Sequence, residues 1–176
     1  MPHCIVLAAP PGGEFLASGH DDGSVGFWEI PPAADLESNP SSPIKKLSLA
    51  KQHGSAVIDL EFASDGKRLA SSSDKDRVVW LWDVKTQMPL KRLDGRRFAI
   101  SPDGQLLVTC GGATADRVMA VWSTETGEPM ARIPDRDAGM FFDAIFSPDG
   151  NKIFGVNQNG IIRTWGLLQH EHDSDP

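Results

Sequence analysis

One pattern occurs four times along this chain, and a chain built of repeats folds only in ways that let each unit cover its neighbour. Leu16-Ala17-Ser18 is followed by Asp22-Gly23 and then by Ser24-Val25-Gly26-Phe27-Trp28. The same order returns as Leu69-Ala70-Ser71, Asp76 and Val78-Val79-Trp80-Leu81-Trp82-Asp83, and again as Leu107-Val108-Thr109, Asp116 and Val118-Met119-Ala120-Val121-Trp122. A weaker copy has Asn159-Gly160 followed by Ile161-Ile162-Arg163-Thr164-Trp165. In every copy the Trp stands six residues after the turn residue, and successive Trp residues lie 54, 40 and 43 apart.

Upstream of these segments a strand runs into a turn: Leu60 to Gly66 through Ala63-Ser64-Asp65, Ile100-Ser101-Pro102-Asp103-Gly104 and Phe146-Ser147-Pro148-Asp149-Gly150, with Ala9-Pro10-Pro11-Gly12-Gly13 as a looser first copy. Pro presets a turn φ, Asp bonds its own backbone and Gly takes positive φ, so these clusters predict hairpins. A further strand fits around Leu47 to Leu49, Leu90 to Leu93 and Met130 to Ile133, which makes four strands per repeat. Val78 to Trp82 is apolar on both faces, so each sheet must be covered on both sides, and neighbouring sheets are the natural cover. A helical solenoid is excluded by the lack of a 3.6-residue apolar period and by Pro or Gly about every ten residues.

On these residues the chain resembles the WD-repeat family of β-propellers, whose repeats of about 40 to 45 residues carry Gly-His near one end and Trp-Asp near the other. The likeness covers nearly the whole chain and is strongest in the second repeat, with His53 four residues before Val57 and Asp83 after Trp82. It implies an all-β fold of WD-type blades, four four-stranded antiparallel sheets, in an open or partial ring. It also implies a buried hydrogen-bonded set of His, Ser or Thr, Asp and Trp in each repeat, which repeat two supplies as His53, Ser71, Asp76 and Trp82. A buried carboxylate that accepts from imidazole and backbone N–H groups can stay ionised. The same residue types make a Ser-His-Asp hydrolase triad, but a repeat-borne set inside a sheet lacks an exposed nucleophile and an oxyanion hole, and there is no G-x-S-x-G elbow.

The other repeats depart from this pattern. Repeat one has Ser18, Asp22 and Trp28 without a matching His, and His20 is expected to face water. Repeat three has Thr109, Asp116 and Trp122, but the loop before Phe98 is about five residues shorter than the family's and holds no His. Repeat four keeps Trp165 with Gly155 and Asn159 at the Ser and Asp positions. Repeat two is therefore expected to be the most rigid and repeat four the most labile. Trp80 stands where the family often has Arg, and burial between blades is expected of it.

The expected blades are about 1–49, 50–93, 94–133 and 134–168, with 31–43 a flexible insertion rich in Pro, Ser, Ala and acidic residues and 169–176 a polar tail. A metal could be imagined at His170-Glu171-His172-Asp173, but a short tail has no rigid supporting shell, so neither metal nor other cofactor is expected. The net charge of −7 and the isolated basic pairs Lys45-Lys46 and Arg96-Arg97 argue against binding nucleic acid. No positive charge precedes the apolar run from Cys4 to Ala9 and no membrane-length apolar stretch occurs, so no membrane association is expected and a cytoplasmic location follows by default. Cys4 and Cys110 lie in apolar stretches and read as buried free thiols.

Propellers have 4 to 8 blades, and WD-type ones resemble the larger members of that range, so four repeats fall short. Only Gly166-Leu167-Leu168 precedes the tail, too little for a full outer strand. An open arc exposes two apolar faces, which recruit a partner: the rest of a longer propeller, a second copy, or a different chain. The expected function is protein–protein recognition without catalysis, through loops presented to a peptide or protein. The alternative is a regulatory or sensing segment of a larger enzyme.

Overall fold

The computed structural model describes residues 2–13, 15–38, 41, 44–73, 75–112, 118–134 and 139–167. Its strands come in chain order as four antiparallel meanders. The first holds β1 (Cys4–Ala8), β2 (Phe15–His20), β3 (Ser24–Glu29) and β4 (Lys45–Lys51), and the second β5 (Val57–Phe62), β6 (Arg68–Ser73), β7 (Val78–Asp83) and β8 (Met88–Asp94). The third holds β9 (Arg97–Ile100), β10 (Leu106–Cys110), β11 (Met119–Ser123) and β12 (Pro129–Ile133). The fourth has three strands among the described residues: β13 (Phe141–Phe146), β14 (Lys152–Asn157) and β15 (Ile162–Gly166). The insertion after β3 includes a short helix α1 (Ala33–Ser38). Pro31-Pro32 just before it and Asp35 in its first turn suit a helix start.

The Pro/Asp/Gly turns are built as their residues dictate. The Ser101 hydroxyl donates to Asp103, whose carboxylate also accepts from the Gln105 N–H at 3.0 Å, while the Gly104 N–H closes onto the Ser101 carbonyl at φ +75°. Ser147, Asp149 and Gly150 repeat this arrangement. Ser147 holds the Asp149 carboxyl below the usual carboxylate range.

Register is the same in all four sheets. Trp28 stands opposite Leu16, Trp82 opposite Leu69, Trp122 opposite Leu107 and Trp165 opposite Ile153. Because side chains alternate across a strand, each sheet has a tryptophan face and an opposite aliphatic face. The core consists of the three places where these unlike faces meet. Ala17, Val25 and Phe27 of sheet one pack on Leu60, Leu69 and Trp82 of sheet two, with Phe27 and Trp82 edge to face at 6.1 Å. Val79, Leu81 and Leu93 of sheet two pack on Phe98, Leu107 and Trp122 of sheet three. Val108, Met119 and Val121 of sheet three pack on Ala144, Ile153 and Trp165 of sheet four. The four sheets are propeller blades in an arc that does not close, with first strands β1, β5, β9 and β13 following one another along its inner side. Trp80 is half-buried against the core between blades one and two, its indole N–H donating to the Gln52 carbonyl at 3.2 Å.

Candidate functional site

In blade two the strand β6, the β6–β7 turn, β7 and the loop before β5 bring the four predicted side chains together. The Trp82 indole N–H donates to the Ser71 hydroxyl oxygen at 2.9 Å, and Ser71 Oγ lies 2.8 Å from His53 Nε2. His53 Nδ1 lies 3.0 Å from Asp76 Oδ2, which also accepts from the Gly54 N–H at 3.0 Å, while Asp76 Oδ1 accepts from the Val78 N–H at 3.2 Å. One assignment of protons satisfies every atom: Ser71 donates to Nε2, and Nδ1–H donates to the carboxylate. Burial lowers the pKa of His53 from its ordinary value, against the opposing pull of Asp76, which fits a neutral ring. The distances match those of a hydrolase triad. Yet Ser71 is fully buried and its oxygen already accepts the indole N–H, so no nucleophile faces a substrate.

Blade one reaches the same end by another route. The Trp28 indole donates to Ser18 Oγ at 2.6 Å, and Ser18 Oγ meets His20 Nε2 at 2.8 Å. His20 is therefore buried and does not face water as its turn-side position suggests. Lying two residues beyond Ser18 on β2, it shares the tryptophan face and supplies from within the strand the imidazole that a loop supplies in blade two; a period of two contained that signal. Asp22 does not join this set. Its carboxylate caps the turn, accepting from the Ser24 hydroxyl at 2.6 Å and the Ser24 N–H at 3.0 Å, and these bonds hold it below the usual range.

Blade three puts a carbonyl where the imidazole would be. The Trp122 indole donates to Thr109 Oγ1 at 3.0 Å, and the Thr109 hydroxyl donates to the Asp94 carbonyl at 2.8 Å. The two-residue link Gly95-Arg96 can come this close because a Cβ on Gly95 would stand 2.6 Å from the Thr109 Cβ. Asp116 lies outside the described residues, as do 168–176 with His170, Glu171, His172 and Asp173.

Blade four has dismantled the set. At Gly155 an added Cβ would meet Met119 Sδ at 2.8 Å and the Trp165 ring at 3.0 Å, so Met119 of blade three occupies the hydroxyl's space. Phe141 meets Trp165 edge to face at 5.4 Å. The turn is held by the buried Asn157, whose Oδ1 accepts from the Asn159 and Ile161 N–H groups at 3.0 Å each. Asn157, on the strand, thus does the capping that the repeat pattern assigns to Asn159.

On the inner strands Asp59, Glu61, Arg97 and Asp143 line a cleft between blades two, three and four. Burial raises the pKa of Asp59 and of Glu61, the latter also accepting from the Ile100 N–H at 3.3 Å. Among the described residues no group of three or more His, Cys, Asp or Glu side chains is arranged to hold a metal ion, and no helix is long and apolar enough to cross a membrane.

The family model described as WD domain, G-beta repeat matches residues 2–29, 42–83 and 96–123, together more than half of the chain. Protein HIR1 of Kluyveromyces lactis is 29% identical over 173 residues, which cover 83% of this chain and 19% of the relative. Eukaryotic translation initiation factor 3 subunit I of Culex quinquefasciatus is 28% identical over 166 residues, covering 85% of this chain and 46% of the relative. Histone transcription regulator slm9 of Schizosaccharomyces pombe is 25% identical over 178 residues, covering 94% and 21%. The chain spans less than half the length of each.

Proposed function

This chain belongs to the WD domain, G-beta repeat family, and from that premise we propose that it is a non-catalytic scaffold whose loops bind a protein or peptide partner. The observation that carries the reading is where its polar chemistry is spent. The Ser, Thr, His and Trp groups that resemble a reactive constellation face inward and satisfy one another, with Ser18, Ser71, Thr109, His20 and His53 all buried. What meets other molecules is the set of turns and inter-strand loops, held in place by rigid sheets. One relative bears the name of a subunit and another that of a histone transcription regulator, both in keeping with a binding role.

The test is affinity purification of the tagged chain with mass spectrometry. A protein recovered in fixed proportion, and lost when loop residues are exchanged but the fold is kept, is the expected result. Recovery of nothing above the tag alone would overturn it. So would a catalytic domain encoded in the same open reading frame, which would make this a sensing segment of an enzyme.

A further inference from the structure

The two ends of the arc are not alike. Each internal junction joins the aliphatic face of one blade to the tryptophan face of the next. Blade one leaves its tryptophan face open, where Leu7 pairs across Ser18 and Gly26 with Leu49, alongside Leu16 and Trp28. Leu7 is 58% exposed and Leu49 is exposed as well. Blade four leaves its aliphatic face open, with Ile145 beside Phe154 and Val156 beside Ile162, which is 72% exposed. Ile145, Phe154, Val156 and Ile162 border one shallow apolar hollow on that face.

By register, Ile162 stands where Val79 stands in blade two, and Phe154 where Ala70 stands, both being residues that pack on the following blade. Leu7 stands where Leu60 stands, a residue that packs on the preceding blade. The chain therefore carries, uncovered, both halves of the junction it makes three times internally.

We propose that two copies of this chain associate head to tail, the open tryptophan face of blade one in each receiving the open aliphatic face of blade four of the other, to close an eight-bladed ring. A second copy is the occupant because it supplies both missing halves in the pairing sense already used inside the chain. Eight blades lie within the range propellers adopt, and a half-ring of four needs about 45° per blade. The contact is heterologous, unlike surfaces meeting, and closes because two half-turns complete a circle. It leaves the loops free and is independent of the partner they bind.

Sedimentation velocity of the 176-residue chain tests this. The wild type is expected to run as a dimer. Leu7→Glu and Ile162→Glu, each with an unchanged circular dichroism spectrum, are expected to run as monomers, and their equimolar mixture as a dimer, because one unaltered pair of faces survives in it. Leu49→Glu and Ile145→Glu give the same comparison on the same two faces should either first variant misfold. A wild-type monomer overturns the proposal, as does growth beyond the dimer. A single-face variant that still dimerises alone overturns it too, since that contact would join like faces. Failure here leaves the affinity-purification result untouched.

Discussion

Replacing Asp76 by Ala separates a carboxylate that holds a blade from one that only shapes a turn. Asp76 accepts three bonds, from His53 Nδ1, the Gly54 N–H and the Val78 N–H. The three donors do not suffer equally. The Gly54 bond is exposed, so water replaces the carboxylate there, and Val78 is partly served in the same way. The His53 side chain has no solvent access while the Asp76 side chain is 19% exposed, so the imidazole N–H loses its acceptor inside the protein. An orphaned buried donor costs about 1–3 kcal/mol, and the middle of that range, about 2 kcal/mol, is expected. For a chain of this size, at about 2–4 °C per kcal/mol, the melting temperature falls by about 4–8 °C. The partner variant Asp22→Ala removes the equivalent acid of blade one, which bonds only Ser24 and is fully exposed, and it should melt with surface controls. Scanning calorimetry on both variants decides the matter. Equal losses, or an Asp76→Ala shift no larger than that of a surface control, would refute the reasoning.

Other outcomes follow from the same geometry. Burial holds the folded pKa of His53 below its ordinary value of 6.5, so below about pH 6.5 the unfolded chain takes up the proton first; urea midpoints should be level above that pH and fall as pH drops beneath it. Gly155→Ser should destabilise by about 1–3 kcal/mol by crowding Met119 and the Trp165 ring, and combining it with Met119→Val should cost less than the sum of the two, measured by denaturant titration. Cys110 is buried and its thiol is pushed up to about 12, so iodoacetamide at pH 8 should label the exposed Cys4 alone in the native protein and both thiols in denaturant, read by mass spectrometry.

The fold was legible because its determinants are local. Turn triplets such as Ser101-Pro102-Asp103-Gly104 carry their own geometry, and the apolar run Val78 to Trp82 announces a sheet covered on both sides. The site was legible only where the chain keeps the family's spacing, as in His53, Ser71, Asp76 and Trp82. Elsewhere a donor or acceptor arrived from an unexpected place: His20 from its own strand, the Asp94 carbonyl from a shortened link, Asn157 two residues ahead of the turn. Hydrogen bonds depend on where atoms end up, and several backbone routes bring an acceptor to one point in space. The exposure of Cys4 likewise departs from its apolar setting, because β1 lies on the blade whose outward face is uncovered. The helix Ala33–Ser38 sits in a stretch whose Pro and Ser content signals only a loop.

The four indoles occupy one register while their polar neighbours differ in every blade, and the energies explain which of the two can drift. A tryptophan removes about 150–250 Å² from water, which at about 25 cal/mol per Å² amounts to about 4–6 kcal/mol, whereas the single bond from its N–H contributes about 1 kcal/mol net. Gene duplication can therefore erode the hydroxyl, the imidazole and the acid one at a time without unstacking a unit, and Trp165, whose N–H has no acceptor among the described residues, marks how far that erosion has gone. Descent in such an array is best traced by its aromatic wedge, because selection releases the polar companions long before it releases the ring.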